Sequence, residues 1–236
     1  MQFEKEYLMK YLPENEWEAA FERLELGEPV QYIIGNVDFY GYILDVNRHV
    51  LIPRFETEEL ISKTITYLSE FTNPRIADIG TGSGCIGITL KKEIECVVEA
   101  VDISPHALEL ARSNAEKNDA EIVFLEGSFL EPLTGKYDCI ISNPPYLSYC
   151  DNIMEIVARN EPVIALYADE DGLACYDVIL RNCKPYLKDK FLIAFEIGAD
   201  HGDRLLKKAN KLLPYNRAWV EKDMQGRDRF LFIRDN

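Results

Sequence analysis

The chain has 236 residues, of which 47% are hydrophobic, and its 26 basic and 41 acidic residues give a formal net charge of −15. This composition excludes a disordered polar chain and a collagen-like chain, and it can supply the core of one large domain, alone or with a small appendage. The acidic excess argues against wholesale binding to nucleic acid or to an anionic membrane, because contacts with phosphate need a local concentration of Lys and Arg.

The first part of the chain, residues 1–52, is predicted to form a short helical segment followed by a β-hairpin. Apolar side chains recur at spacings of three and four over residues 1–26, as they do on one face of a helix. β-branched and aromatic residues dominate residues 30–52, where Gly35-Asn36 and Gly41 break the run into short pieces. We therefore expect a hairpin or meander there, and a domain boundary directly after it.

The second part, residues 53–236, alternates strand and helix patterns. Its first helix is expected from Thr57 to about Glu70. Further helices are expected at 84–93, 105–118, 151–158, 173–187 and 201–213, and strands at 75–79, 97–102, 121–125, 137–142, 190–196, 217–221 and 228–233. Such alternation predicts a parallel sheet with helices on both faces, and the last two strands add an antiparallel edge strand. We therefore expect an α/β, Rossmann-like fold whose mostly parallel sheet has seven strands and binds ligands beyond the carboxyl ends of the strands.

A glycine-rich loop follows the first strand of this sheet, with the sequence Asp78-Ile79-Gly80-Thr81-Gly82-Ser83-Gly84. Glycines permit a sharp turn from strand to helix and let a ligand approach the backbone closely. Gly82-x-Gly84-x-x-Gly87 matches the dinucleotide fingerprint literally, and Asp102 lies about 20 residues further on, at the end of the next strand. The loop therefore indicates a cofactor site.

Two details favour S-adenosylmethionine over a nicotinamide dinucleotide at this loop. The glycines start two residues early, at Gly80, and Asp78 closes the strand beside the place where a pyrophosphate would lie and would repel it. S-adenosylmethionine carries an ammonium and a sulfonium group and no phosphate, so a carboxylate near the loop suits it. Asp102 can accept hydrogen bonds from the ribose hydroxyls of either cofactor.

The sequence Ser142-Asn143-Pro144-Pro145-Tyr146 follows the fourth strand. Adjacent prolines fix two φ angles and remove two N–H donors, so the loop is stiff and presents an Asn side chain and bare carbonyls. The Asn143 oxygen and the Pro144 carbonyl can accept both hydrogen bonds of a planar NH₂ group, which places its nitrogen for methyl transfer. Tyr146 can form a wall against a flat substrate. We therefore predict that Asn143, Pro144 and Tyr146 are catalytic, and that Asn143, Pro144, Pro145 and Tyr146 bind the substrate.

These residues resemble the amino-methyltransferase branch of the class I S-adenosylmethionine-dependent methyltransferases. Other segments narrow the resemblance to the HemK/PrmC family: Gly27–Gly35, Leu51–Glu58, Glu196-Ile197-Gly198 and Gly226-Arg227-Asp228-Arg229. The resemblance covers about residues 27–233. Members of that family methylate the side-chain amide of the glutamine in the Gly-Gly-Gln motif of peptide chain release factors. The resemblance thus implies a class I methyltransferase fold, S-adenosylmethionine as cofactor and a release factor as the protein substrate.

The resemblance also implies roles for individual residues. In that family the loop from Gly80 to Gly84 and Asp102 bind the cofactor, the aromatic position at Phe129 lies at the adenine, and Asn143 to Tyr146 hold the glutamine amide. The cofactor-binding residues expected are Asp78, Gly80, Thr81, Gly82, Ser83, Gly84, Asp102, Ile103, Phe129 and Asn143.

Three features depart from the family's pattern. Only about 26 residues precede the hairpin, where the family usually has a longer helical domain that helps to grip the release factor. Ser128 stands where an acidic residue usually accepts a hydrogen bond from the adenine amine, and His201 stands where a glutamine is usual. None of these features touches the Asn-Pro-Pro-Tyr motif.

Three further residues have alternative interpretations. Arg54 could line the mouth of the active site or pair with the acidic surface, and Thr57 could serve only as a helix N-cap. Glu196 ends an apolar strand, and we expect it to orient a loop rather than to act in catalysis.

The charge of the chain is unevenly distributed. Residues 1–180 hold 13 basic and 33 acidic residues, whereas residues 181–236 hold 13 and 8. An acidic protein partner would therefore meet the last quarter of the chain. There Lys207, Lys208 and Lys211 form either a basic patch or a solvated helix face.

Methylation of an exocyclic amine of a nucleobase is the alternative function, because the same loop can hold a flipped adenine with Tyr146 stacked on it. The negative charge and the lack of a basic, aromatic-rich recognition region count against it. A non-enzymatic cofactor-binding protein is a third hypothesis, which the intact Asn-Pro-Pro-Tyr motif disfavours.

The remaining expectations concern thiols, metals and location. None of the six cysteines belongs to a Cys-x-x-Cys pair, so we expect reduced thiols, and the three histidines are too scattered to suggest a metal site. The sequence shows no signal peptide and no run of about 20 apolar residues. We therefore expect a cytoplasmic monomer or weak oligomer that binds neither membrane nor nucleic acid directly.

Overall fold

The structure is a computed structural model that describes residues 2–151 and 153–236. Met1 and Asn152, which fall within the predicted helices at 1–26 and 151–158, lie outside the described residues. The N-terminal part consists of helices α1 (Gln2–Tyr11), α2 (Trp17–Glu25) and α3 (Val30–Ile34) and of hairpin strands β1 (Asn36–Phe39) and β2 (Tyr42–Asp45). A helical segment followed by a hairpin is therefore confirmed.

The extended structure predicted for the start of the hairpin region is wrong, because Val30–Ile34 is helical. Its β-branched residues suggested a strand, yet the carbonyl of Pro29 accepts hydrogen bonds from the N–H groups of Tyr32 and Ile33 and opens a helical turn. Tyr32 packs in one apolar cluster and Ile33 in another, and both are buried. Packing against two clusters outweighs the β propensity of this short run.

One sheet contains the remaining strands: β3 (Arg75–Ile79), β4 (Val97–Asp102), β5 (Val123–Glu126), β6 (Tyr137–Ser142), β7 (Leu187–Glu196), β8 (Arg217–Lys222) and β9 (Asp228–Arg234). Their order is β5-β4-β3-β6-β7-β9-β8. The first five pair in parallel, whereas β9 pairs antiparallel with both β7 and β8, so the edge strand β8 runs antiparallel to its neighbour. The predicted seven-stranded, mostly parallel sheet is confirmed.

The described residues also form the helical elements α4 (Phe55–Leu68), α5 (Cys85–Glu93), α6 (Pro105–Lys117), α7 (Glu155–Asn160), α8 (Val163–Leu166), α9 (Asp169–Gly172), α10 (Ala174–Asn182) and α11 (Gly202–Leu212). The short α9 is not a regular helix, because the backbones of Glu170 and Asp171 are left-handed. The helix predicted over 173–187 is too long, because a 3₁₀ turn with Pro185 follows α10 and β7 begins at Leu187. The short elements α8 and α9 were not predicted, since they are too short to show a helical period.

Apolar clusters cover both faces of the sheet, as expected for parallel strands that are buried on two sides. Ile140 of β6 belongs to the cluster that packs under α10 and α11, and the next residue, Ile141, belongs to the cluster under α4. This burial fixes the strands, so that the loops after β3, β4 and β6 emerge side by side at one edge of the sheet.

The hairpin is joined to the sheet domain through the buried side chain of Asn114 on α6. Asn114 Nδ2 donates to the carbonyls of Asp45 (2.9 Å) and Ser83 (2.9 Å), and its Oδ1 accepts from the Asp45 N–H (2.7 Å). One side chain therefore ties the hairpin to the glycine loop. The division of the chain at residues 52 and 53 remains a prediction.

The six cysteines are free thiols. Among the described residues, no helix is both long enough and apolar enough to cross a membrane.

Candidate functional site

A cavity of about 400 Å³ opens at the carboxyl ends of β3, β4 and β6. Its walls come from the glycine loop, the end of β4, the Asn-Pro-Pro motif and two segments, residues 49–53 and 164–175. This volume lies within the range of small-molecule sites, and the position matches the expected place for a ligand in an open α/β sheet.

The glycine loop presents its backbone to this cavity. The N–H groups of Gly80 and Thr81 donate to the carbonyl of Val101 on β4 (2.8 and 3.0 Å), which holds the loop against the neighbouring strand. Gly80 (φ 73°) and Gly82 (φ 57°) have left-handed backbones, and no heavy atom lies within 4 Å of where a Cβ would be. Side chains at these positions would fill the cavity, so the glycines keep it open.

Asp102 ends β4 and lines the cavity beside this loop. Its Oδ2 accepts a hydrogen bond from the Gly82 N–H (2.9 Å) and its Oδ1 accepts one from the Ser104 N–H (2.9 Å). Burial raises the pKa of this carboxyl group. Each oxygen retains a lone pair, so the carboxylate can accept from two further donors such as vicinal hydroxyls.

Asp78 lies beneath the loop, fully buried, and does not line the cavity. Its Oδ2 accepts hydrogen bonds from Thr81 Oγ1 (2.6 Å) and from the Gly87 N–H (3.1 Å), while its Oδ1 has no hydrogen-bond partner within the described residues. Burial raises the pKa of Asp78 to about 7. The contacts of Asp78 thus brace the loop from behind.

Eight of the ten predicted cofactor residues line the cavity: Gly80, Thr81, Gly82, Ser83, Asp102, Ile103, Phe129 and Asn143. Ser128 also lines it. Asp78 and Gly84 lie outside the lining, and a Cβ on Gly84 would meet Ile88 and Ala111, so Gly84 serves the packing of α5 against α6.

The Asn-Pro-Pro-Tyr motif is pinned at both ends. Ser142 Oγ donates to the Ile79 carbonyl (2.5 Å) at its start, and the Leu147 N–H donates to the Leu166 carbonyl (3.0 Å) at its end. Asn143, Pro144 and Pro145 line the cavity, whereas Tyr146 packs against the core cluster on the α10 and α11 side. Burial raises the pKa of the Tyr146 hydroxyl.

The Asn143 amide is oriented by two residues from other segments. Its Nδ2 donates to Thr57 Oγ1 (3.1 Å), and Thr57 Oγ1 donates to Glu196 Oε2 (2.7 Å). Glu196 is buried, and burial raises its pKa to about 7. Thr57 is not the N-cap of α4, because Arg54 occupies that position and the Thr57 side chain turns to Glu196. Asn143 thus keeps its Oδ1 as an acceptor for a ligand.

Arg54 pairs with an acidic residue and does not line the cavity. Its Nη2 lies 2.5 Å from Glu161 Oε1, and the other oxygen of Glu161 accepts from the Ile52 N–H (3.1 Å). Since Glu161 is buried, this pair fixes the segment before α4 to the segment that begins α8.

Two aromatic residues at the cavity were missed by the sequence reasoning. The rings of Tyr149 and Tyr167 stack with centroids 5.1 Å apart, and both residues line the cavity. The proximity of Tyr149 to the Asn-Pro-Pro-Tyr motif was an available signal, whereas nothing in the sequence places Tyr167 beside it.

The structure shows the surroundings of His201, which departs from the family's pattern, and of the three lysines on α11. His201 is largely buried against Gly198 and Gly172, and burial lowers its pKa. Lys208 pairs with Asp177 (2.6 Å), while Lys207 and Lys211 are exposed. The pairing of Lys208 with Asp177 and the exposure of Lys207 and Lys211 favour the solvated helix face over a basic patch.

Comparison with known proteins identifies the family. A model of the methyltransferase small domain matches residues 55–160. The release factor glutamine methyltransferase of Streptococcus pneumoniae is 43% identical over 222 residues, which cover 92% of this chain and 79% of the relative. That of Staphylococcus aureus is 40% identical over 224 residues, which cover 92% and 80%. This chain belongs to the release factor glutamine methyltransferase family.

A solved structure shares the fold of this family member. The release factor-specific protein-(glutamine-N5) methyltransferase of Alicyclobacillus acidocaldarius superposes with a TM-score of 0.51 at 24% identity, over 82% of this chain and 99% of that one. Because it belongs to this family and contains a methyltransferase domain, the chain is a methyltransferase of class I fold that uses S-adenosylmethionine as methyl donor.

The cavity of this methyltransferase has the donor and acceptor groups that this cofactor needs. Open glycine backbone lines one wall, Asp102 offers acceptors for ribose hydroxyls, and the Ser83 hydroxyl is buried without a partner in the described structure. Among the described residues that line the cavity there is no Lys or Arg, which suits a ligand that carries an ammonium group and no phosphate. The residues present therefore fit S-adenosylmethionine.

Proposed function

We propose that this chain transfers a methyl group from S-adenosylmethionine to the side-chain amide nitrogen of a glutamine in the Gly-Gly-Gln motif of a peptide chain release factor. The observation that carries the proposal is the orientation of Asn143. Its NH₂ group is turned away to Thr57, so its oxygen is left to accept from an amide NH₂ beside the cofactor site.

The roles of the site residues follow from this orientation. When bound, S-adenosylmethionine supplies an electrophilic methyl group. Asn143 Oδ1 and the Pro144 carbonyl each accept a hydrogen bond from one N–H group of the glutamine amide. These two hydrogen bonds fix the direction of the nitrogen lone pair. The same two oxygens stabilise positive charge that develops on this nitrogen, because they are already oriented before the reaction begins.

The loop and the end of β4 hold the cofactor in this proposal. The backbone at Gly80 and Gly82 and the Asp102 carboxylate contact it, and Phe129 lies against its adenine. Ser128 cannot replace a carboxylate as a charged acceptor for the adenine amine, so this part of the site binds through a neutral hydroxyl or through the backbone.

The test is a labelled-methyl assay on purified substrates. The protein is incubated with methyl-labelled S-adenosylmethionine and a release factor, with the same release factor carrying Gln→Ala in its Gly-Gly-Gln motif, or with duplex DNA. We expect label only on the unmodified release factor. Label on the Gln→Ala protein would refute the assigned glutamine, and label on DNA alone would favour nucleobase methylation.

A further inference from the structure

Three residues from distant segments form a continuous hydrogen-bonded chain that ends at the active site. Asn143 follows β6, Thr57 lies in the first turn of α4, and Glu196 ends β7. Asn143 Nδ2 donates to Thr57 Oγ1 (3.1 Å), and Thr57 Oγ1 donates to Glu196 Oε2 (2.7 Å). Thr57 is 2% exposed and Glu196 is 1% exposed, so water has little access to the hydrogen bond between the hydroxyl and the carboxylate.

The donor-to-acceptor direction of this hydrogen-bonded chain is set by its buried end, Glu196. An ionised carboxylate only accepts hydrogen bonds, so the single hydroxyl proton of Thr57 must point to Glu196. The oxygen of Thr57 is then an acceptor on its other side, and the part of Asn143 that faces it must be the NH₂ group. The amide oxygen of Asn143 consequently faces away from Thr57.

The opposite donor-to-acceptor direction of the hydrogen-bonded chain would not support methyl transfer. If Thr57 donated to Asn143 Oδ1, the NH₂ group of Asn143 would face the NH₂ group of the substrate amide. Both groups are donors, so no hydrogen bond could form between them. A primary amide alone has no strong preference between these orientations, because its oxygen and its nitrogen have similar sizes.

We propose that Thr57 and Glu196 are positioning residues that fix the Asn143 amide with its oxygen toward the substrate. The proposal rests on the proposed function, since it explains how the acceptor of the glutamine NH₂ is kept in place. The surrounding contacts fix Glu196 in turn: Tyr176 donates to its backbone carbonyl (2.7 Å), and Arg229 Nη1 donates to the carbonyl of Ile197 (3.0 Å).

Substitutions at Thr57 test the chain directly. In Thr57→Val the hydroxyl is lost at almost constant volume, and we expect kcat for release factor methylation to fall on the order of 10- to 100-fold. The dissociation constant for S-adenosylmethionine, measured by calorimetry, should change less than about threefold. Thr57→Ser restores the hydroxyl and should recover most of the lost kcat, which a purely steric role of the threonine methyl would not allow.

Thr64→Val is the matched control. Thr64 lies two turns further along α4, is fully buried, and has a hydroxyl without a hydrogen-bond partner in the described part of the chain. It should keep the wild-type kcat. If Thr57→Val also kept it, or if a folded Thr57→Ser failed to recover it, the positioning role would be refuted. A wild-type protein that methylates no release factor would refute the proposed function instead.

A pH profile tests the part played by Glu196. Protonated Glu196 can donate to Thr57, which would then donate to Asn143 and so reverse the directions of both hydrogen bonds. The pKa of Glu196 is about 7 because the side chain is buried. We therefore expect kcat to fall as the pH drops below about 7, and Glu196→Gln to lose this pH dependence. The ionisable groups that face Glu196 are Arg54, Glu56, Cys85, Tyr146, Tyr176 and Arg229.

Only the Glu196→Gln variant distinguishes the effect of Glu196 on the pH dependence of kcat from the effects of other groups that titrate near pH 7. Asp78 also has a pKa of about 7 because of its burial. If Glu196→Gln retained both the wild-type kcat at pH 8 and the same fall below pH 7, Glu196 would not direct the Asn143 amide, and the proposal would be overturned.

Discussion

Asn143 combines a fixed NH₂ group with a free oxygen, and this asymmetry gives the residue its expected effect on rate. Asn143→Ala removes one of two acceptors for the substrate amide, and the loss of one preoriented group typically lowers kcat on the order of 100-fold or more. Cofactor affinity should change little, since the glycine loop and Asp102 remain. Single-turnover methylation and calorimetry measure the two quantities separately. Asn182→Ala, at an exposed position on α10, is the control.

A normal transfer rate in Asn143→Ala would contradict the assignment. A loss of cofactor affinity equal to the loss of rate would also contradict it, because Asn143 would then act mainly through binding of the cofactor.

Asp102→Ala should show the reverse pattern. The carboxylate lines the cavity and also holds the Gly82 and Ser104 N–H groups, so its loss removes the acceptor for ribose hydroxyls and loosens the loop. We expect the dissociation constant for S-adenosylmethionine to rise on the order of 10- to 100-fold, as for the loss of one charged hydrogen-bonding group. Calorimetry checks this, with Asp189→Ala at an exposed position as the control. An unchanged constant would exclude the ribose contact.

The site residues that could be predicted from the sequence are those that lie together in a motif. The loop from Gly80 to Ser83 and the segment from Asn143 to Pro145 were predicted because each group is contiguous and follows a strand. For Thr57 and Glu196 the sequence indicates only a helix cap and a support for a loop. Thr57 lies 86 positions from Asn143 and 139 positions from Glu196 in the sequence, and only the packing of α4 across β7 brings the three together.

The segment of α9 supports the Asn-Pro-Pro-Tyr motif from behind, through Gly172. This residue has φ 79°, and a Cβ there would lie 2.0 Å from the carbonyl oxygen of Tyr146. Gly172→Ala should therefore displace the backbone of the motif at Tyr146. We expect the free energy of unfolding to fall by about 2–4 kcal/mol, the sum of backbone strain and overpacking, and kcat to fall about tenfold.

Gly226→Ala separates the two contributions to this loss. Gly226 has nearly the same φ, 81°, but a Cβ there would meet no atom within 4 Å. Gly226→Ala should lower the free energy of unfolding, measured by urea denaturation, by about 1 kcal/mol and leave kcat unchanged. Equal effects of the two substitutions on stability and on kcat would show that Gly172 does not support the motif.

At the scale of elements, long periodic segments were predictable and short ones were not. All seven strands of the sheet and the helices α4, α5, α6 and α11 were expected near their observed positions. The short helices α3, α8 and α9 were missed, because four or five residues show no helical period and their conformation depends on contacts with the hairpin and the motif. Of these short elements, α8 and α9 contribute to the wall of the cavity through Ile164, Ala165 and Asp169.

The whole molecule carries a net charge of −15, yet the site depends on two carboxyl groups that are fully buried. The sequence indicated that acidic residues near the cofactor loop have a chemical role, and it could not indicate their burial. Asp78 braces the loop and Glu196 ends β7, so both lie under the cavity rather than on the acidic surface. Their burial affects stability as well as catalysis.

The stability of the protein should therefore rise as the pH falls from 8 to 6.5. Burial raises the pKa of Asp78 and of Glu196 to about 7, far above the ordinary values of about 4, so the folded state binds protons in this range that the unfolded state does not. The free energy of unfolding should increase on the order of 1 kcal/mol, or about 3 °C in Tm. His201, whose pKa is lowered by burial, opposes this trend weakly as the pH approaches its ordinary pKa of about 6.5 and more strongly below it.

Calorimetry at 0.5 M salt measures this increase, because salt screens the repulsion between surface charges and leaves the buried groups unscreened. Glu196→Gln should remove about half of the pH dependence, whereas Glu126→Gln, at an exposed position, should leave it intact. A Tm that stays constant or falls between pH 8 and 6.5 would mean that Asp78 and Glu196 are already protonated at pH 8, or ionised throughout. Either result would remove the basis for an acid-sensitive Asn143 orientation.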